Sequence, residues 1–129
     1  MSTPTHTRSA IQLMRLMLCD GLIEYHDLSW VKPANILSFI LECKSQGGFA
    51  NCPGDVPFLG SSRAAGGVVK MLEIMRLKGI FDDDLEYFDF RSKLIPLVLD
   101  LRPFVSKCYD EAKGAYWHFP VEYVSAGSN

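Results

Sequence analysis

Apolar side chains recur at helical spacing along four stretches of the chain. Over 8–19, Ala10, Leu13, Met14 and Met17 fall at i, i+3, i+4 and i+7, which predicts an amphipathic helix. Thr7 or Ser9 suits its cap and Gly21 its end. After a connection over 22–32, Pro33 suits the first turn of a second helix. That helix runs over 33–45, with Ile36, Phe39, Ile40 and Cys43 on one stripe. Gly47-Gly48 stops it, because glycine adopts left-handed backbone angles without a steric cost. Residues 46–60 read as a loop whose Phe49, Phe58 and Leu59 turn inward. A third helix is expected over 61–78, capped by Ser61 or Ser62, with Val68, Met71, Leu72 and Met75 on one face and Gly79 at its end. Gly66-Gly67 inside it costs roughly 1 kcal/mol per glycine relative to alanine, so a close helix–helix contact is expected there. The fourth stretch, 92–110, carries Leu94, Leu97, Val98, Leu101, Phe104, Val105 and Cys108, and Pro103 predicts a break or kink. Tyr116 to Tyr123 reads as extended, and the last residues, 126–129, as frayed.

The pattern predicts an all-α domain over 1–129, built from two α-hairpin repeats with long ordered loops and little strand. The first repeat covers about 8–60 and the second about 61–122. Leu13-Met14-Arg15-Leu16-Met17 and Gly21-Leu22-Ile23 align without a gap on Met71-Leu72-Glu73-Ile74-Met75 and Gly79-Ile80-Phe81. Phe39 and Cys43 align with Phe104 and Cys108 if the second unit gains residues before its second helix. Gly48-Phe49 and Pro53 then correspond to Ala115-Tyr116 and Pro120. Helical periodicity alone accounts for the apolar matches, but not for the paired cysteines or the glycine–aromatic–proline corners.

Composition adds limits. The 129 residues suit one domain with a real core, and 48% apolar with 22% charged residues is the mix of a globular chain. A net charge of −2 provides no electrostatic ground for a nucleic-acid partner. No apolar run reaches the roughly 18 residues of a membrane span, and the polar start Met1-Ser2-Thr3-Pro4 has no signal-peptide core. Cys19, Cys43, Cys52 and Cys108 form neither a C-x-x-C pair nor a zinc pattern. Free thiols in a reducing cytoplasm are the expectation.

The phrases Phe39-Ile40-Leu41-Glu42-Cys43, Gln46-Gly47-Gly48-Phe49, Pro53-Gly54 and Ser62-Arg63-Ala64-Ala65 resemble the repeat of the protein prenyltransferase β-subunit and squalene cyclase superfamily. The resemblance covers roughly 7–120. It implies an α/α toroid, in which inner and outer helices surround an apolar cavity holding an isoprenoid. This chain would supply a partial toroid and would complete a ring as a homo-oligomer or as a subunit beside other chains. The family's zinc motif D-x-C would fall near Gly60 and Ser62, which cannot serve. The D-C-x-x-E acid motif is absent, and the D-x-D-D motif is nearly spelled by Phe81-Asp82-Asp83-Asp84.

Candidate chemistry follows from these residues. Asp82, Asp83 and Glu86 fit a D-D-x-x-D/E pattern that could hold Mg2+ and neutralise a diphosphate. The same acidic residues equally suit a helix N-terminus. Phe49, Tyr116, Trp117 and Phe119 could line a pocket for an apolar ligand and stabilise a carbocation, or could seal the core. His118 is a candidate proton carrier and Asp83 a candidate catalytic carboxylate. A zinc site from Cys43, Cys52, Cys108 and His118 is the weaker arrangement, as is a Cys108–His118 nucleophilic pair. Two functions stay open: a terpenoid cyclase or prenyltransferase-like domain binding an isoprenoid, and a non-catalytic helical scaffold or subunit.

Overall fold

A computed structural model describes residues 2–19 and 31–123, with the backbone alone for 15–19. The elements in order are α1 (Pro4–Cys19), α2 (Pro33–Glu42), β1 (Lys44–Ser45), β2 (Gly48–Phe49), α3 (Leu59–Leu77), α4 (Leu85–Leu99), α5 (Arg102–Lys107), β3 (Tyr109–Asp110) and β4 (Ala115–Tyr116). Among the described residues the chain is mainly helical, and its strands are two short antiparallel pairs. Gly21 as a helix stop, the side chain of Met17, and the end at 126–129 lie outside the described residues.

α1 lies along α3, α2 lies along α4, and α3 touches both α2 and α4. Ile11, Leu37, Ile40, Phe49, Ala65, Val68, Leu72, Met75 and Leu94 fill the core between them. The close contact expected at the glycine pair is present. A Cβ on Gly67 would stand 2.7 Å from Arg8 Nε of α1, and one on Gly66 would stand 3.4 Å from Val98 Cγ1 of α4. The two glycines therefore let α3 sit close to a helix on each side.

The helix expected over 92–110 starts earlier and divides. Asp84 caps α4 by accepting from Glu86 N at 3.0 Å, so part of the acidic connection is helix N-terminus, where carboxylates meet the positive end of the dipole. α4 ends at Asp100, and Pro103 stands in the first turn of α5, where its missing N–H has no intrahelical partner to lose. Pro96 is carried inside α4. The run from Tyr116 to Tyr123 is extended only at its start, and Tyr123 N donates to Pro120 O at 3.0 Å to close a turn.

α2 and α5 each end on a buried cysteine followed by a β-hairpin. Lys44 pairs with Phe49, and Ala50 N donates to Cys43 O at 2.7 Å. Tyr109 pairs with Tyr116, and Trp117 N donates to Cys108 O at 2.8 Å. The first hairpin turns on Gln46 and Gly47 at φ 43° and 87°, the left-handed pair of a type I′ turn. Left-handed angles thus fall one residue earlier than the tandem glycine predicts. Gly48 serves packing instead: a Cβ there would stand 3.0 Å from three ring atoms of Phe104.

Candidate functional site

The second hairpin returns its chain onto the N-terminus of α3. His118 O accepts from Leu59 N at 2.8 Å. Phe58 stacks on the His118 imidazole with ring centroids 5.3 Å apart and meets Phe119 edge-on at 5.2 Å. Beside this junction lies a cleft of about 600 Å³ lined by Gln46, Val56, Trp117, His118, Phe119 and Tyr123. Its volume suits a small molecule, and its walls are largely apolar, as small-molecule sites generally are.

Trp117 is held on several sides. Its Nε1 donates to Asp110 Oδ2 at 3.0 Å, and the Lys113 ammonium lies 4.9 Å from its ring centroid. Asp110 Oδ1 also accepts from Ala112 N at 3.1 Å and from Lys113 N at 3.3 Å. The Trp117 indole bond, followed by those backbone donors and the Lys113 charge, holds the Asp110 carboxyl below the usual carboxylate range. A hydrogen bond to the charged form favours that form.

The sequence candidates divide between distant places. Trp117, Phe119 and His118 line the cleft. Phe49 does not: it is buried in the core, donating from N to Ser62 Oγ at 2.9 Å and accepting at O from Phe58 N at 2.9 Å. Tyr116 does not either, being exposed and tilted against Tyr109 at 5.1 Å. The aromatic group therefore both seals the core and lines a cleft, residue by residue.

Asp82, Asp83 and Glu86 are exposed at the other end of α3. The nineteen residues of that helix span about 28 Å at a rise of roughly 1.5 Å each. An arrangement placing Asp83 and His118 around one reacting molecule is therefore not formed. The acidic residues also fit magnesium poorly. Asp83 faces Arg76 at 3.5 Å and Asp84 is committed to its cap. Among the described residues no three His, Cys, Asp or Glu side chains converge on a common point.

The cysteines do not line the cleft. Burial, then the neighbouring Cys52 and Glu42, pushes Cys43 up to about 11, and burial also raises Cys108. Both are protonated near neutrality, and a thiol rather than a thiolate is a poor nucleophile or metal ligand.

A charged cluster joins α3 to α4. Glu73 accepts from Arg76 Nη2 at 2.6 Å and from the Tyr87 hydroxyl at 3.0 Å. Arg91 Nε lies 3.1 Å from Glu73 Oε2 without the alignment of a hydrogen bond. Arg76, before the other partners, draws the Glu73 carboxyl downward, while burial and then Glu73 push Tyr87 up to about 12. This cluster fastens two helices and borders no described cavity.

Sequence reasoning missed Gln46, Val56 and Tyr123 as cleft residues and Asp110 as the partner of Trp117. The register of the second hairpin was the available signal, since Tyr109 opposite Tyr116 brings Asp110 and Trp117 near one another. Comparison with known proteins finds no family model, curated protein or solved structure that matches the chain. Among the described residues no helix is long and apolar enough to cross a membrane.

Proposed function

We propose that this domain binds an apolar small molecule of isoprenoid type in the cleft beside Trp117. The observation that carries the reading is an apolar cleft of about 600 Å³ with a half-buried indole fixed in its wall by Asp110 and Lys113. A wall residue held before binding loses little conformational freedom when a ligand arrives, which favours affinity. The reading narrows the terpenoid cyclase and prenyltransferase-like expectation to ligand binding. Any proton transfer at this cleft would draw on His118 or the Tyr123 hydroxyl, the lining groups that carry exchangeable protons suited to it. Magnesium is not part of the proposal, because the acidic candidates do not converge. Free Cys43, Cys52 and Cys108 accord with a cytoplasmic setting.

The test is a titration with an isoprenoid alcohol, following indole fluorescence in a Trp30→Phe background so that Trp117 alone reports. A saturable change is expected, and Val56→Asp, an exposed substitution on the cleft wall, should weaken it at least tenfold. No saturable response, or a response unmoved by Val56→Asp, would refute the reading.

A further inference from the structure

We infer that copies of this chain associate head to tail, the open groove between α1 and α2 of one copy receiving the second-hairpin end of the next. Each half of the chain has a counterpart in the other. In the ungapped alignment of α1 with α3, Thr7, Ala10 and Met14 correspond to Ala65, Val68 and Leu72. The α3 set is fully buried in the core shared with Ile11, Leu37 and Ile40 of the first half. The α1 set lines a groove of about 520 Å³ between α1 and α2, together with Ile36 and Phe39. The second half has its side covered by the first, and among the described residues the corresponding side of the first half stands open.

The other end mirrors this. Ile40 and Phe49 of the first half are 0% and 1% exposed, and Phe49 is covered by the start of α3. Their counterparts Val105 and Tyr116 are 36% and 59% exposed, with Tyr109 open beside them. Phe104 lays its ring over Gly48. The counterpart of Phe104 is Phe39, which lines the open groove, and the counterpart of Gly48 is Ala115, which sits on the open hairpin. Placing Phe39 of one copy over Ala115 of the next would repeat the internal seam between chains. The added methyl of Ala115 requires a slightly wider approach than Gly48 permits.

The two faces differ from each other, so the contact is heterologous, of the kind that closes into rings or grows into filaments. Terminal units of a stacked array otherwise leave apolar faces in water. The occupant is a second copy because the internal seam already shows one such unit seated on another. This inference does not depend on any ligand in the cleft.

Analytical ultracentrifugation of the full chain over a range of concentrations tests it, with Ala10→Glu on the groove and Tyr116→Lys on the hairpin. Both positions are exposed, so each variant should keep its circular dichroism spectrum and melting transition. Reversible association is expected for the unmodified chain and a monomer for either variant alone. Mixing the two variants should restore a one-to-one dimer and nothing larger, because one intact groove and one intact hairpin remain. A monomeric unmodified chain at all concentrations overturns the inference. So does assembly that survives Tyr116→Lys, or a mixture that stays monomeric.

Discussion

Replacing Gly48 by alanine tests the seam between the two halves most directly. Gly48 is not in the left-handed region, so alanine meets no backbone penalty there. Its Cβ would lie 3.0 Å from three ring atoms of Phe104, about half an ångström inside ordinary carbon contact. Phe104 is itself buried, and a planar ring in a packed site has little room to yield. Overpacking of this kind costs about 1–3 kcal/mol. The lower entropy of the unfolded alanine chain returns roughly 0.4–1 kcal/mol. The net expectation is a loss of about 1–2 kcal/mol. With roughly 2.1 cal/mol/K of unfolding entropy per residue, a chain of 129 residues should then melt about 4–7 °C lower. Urea unfolding followed by circular dichroism should show a lower midpoint with an unchanged slope. Phe104→Leu removes ring atoms and should cost about 1–2 kcal/mol alone. In the double variant the leucine vacates space that the new methyl needs, so its loss should fall at least 1 kcal/mol short of the sum. Gly48→Ala at or above the stability of the unmodified chain, or strict additivity with Phe104→Leu, would refute the seam.

Other predictions concern the cleft wall and the α3–α4 cluster. Asp110 is depressed by the Trp117 bond, so its stabilising effect is present above the unfolded carboxylate value of about 3.9 and is lost as pH falls through the lower folded value. The Trp117 Nε1–H resonance should shift over that acid window in a Trp30→Phe background, and Asp110→Ala should move it at all pH values; a resonance insensitive to Asp110→Ala would count against the bond. Tyr87 is raised to about 12, so stability should fall as pH climbs from the unfolded value of roughly 10 toward that point. Tyr87→Phe should remove this share of the alkaline loss and cost about 1 kcal/mol near neutrality through its missing bond to Glu73, measured by urea unfolding at several pH values. Gln46 holds φ 43° without being glycine, and Gln46→Gly should stabilise the first hairpin by roughly 0.5–1 kcal/mol, read as a higher urea midpoint.

Much of the local structure was legible in the residue pattern, because helix periodicity and turn chemistry act within a few positions. The apolar stripe through Val68, Met71, Leu72 and Met75 placed α3, and Pro103 marked the break before α5. Gly66-Gly67 announced a close contact without naming Arg8 or Val98 as the neighbours. The start of α4 differs from the expectation because Asp82-Asp83-Asp84 reads equally as a solvated loop and as a cap, and only the burial of Tyr87, whose hydroxyl reaches Glu73 of α3, decides between them.

The site required the third dimension. Sequence order brought Asp83 and His118 into one hypothesis as residues of suitable chemistry, and the rigid length of α3 set them at opposite ends. Phe49 and Tyr116 occupy matching hairpin positions, yet one is buried and the other open, because among the described residues only the first hairpin has a further unit folded against it. Local propensity is a property of neighbouring residues and was carried by the chain itself. Which aromatic faces water, which carboxylate meets which arginine, and which half covers the other depend on contacts between distant segments, and those were decided by the packing of the tertiary structure.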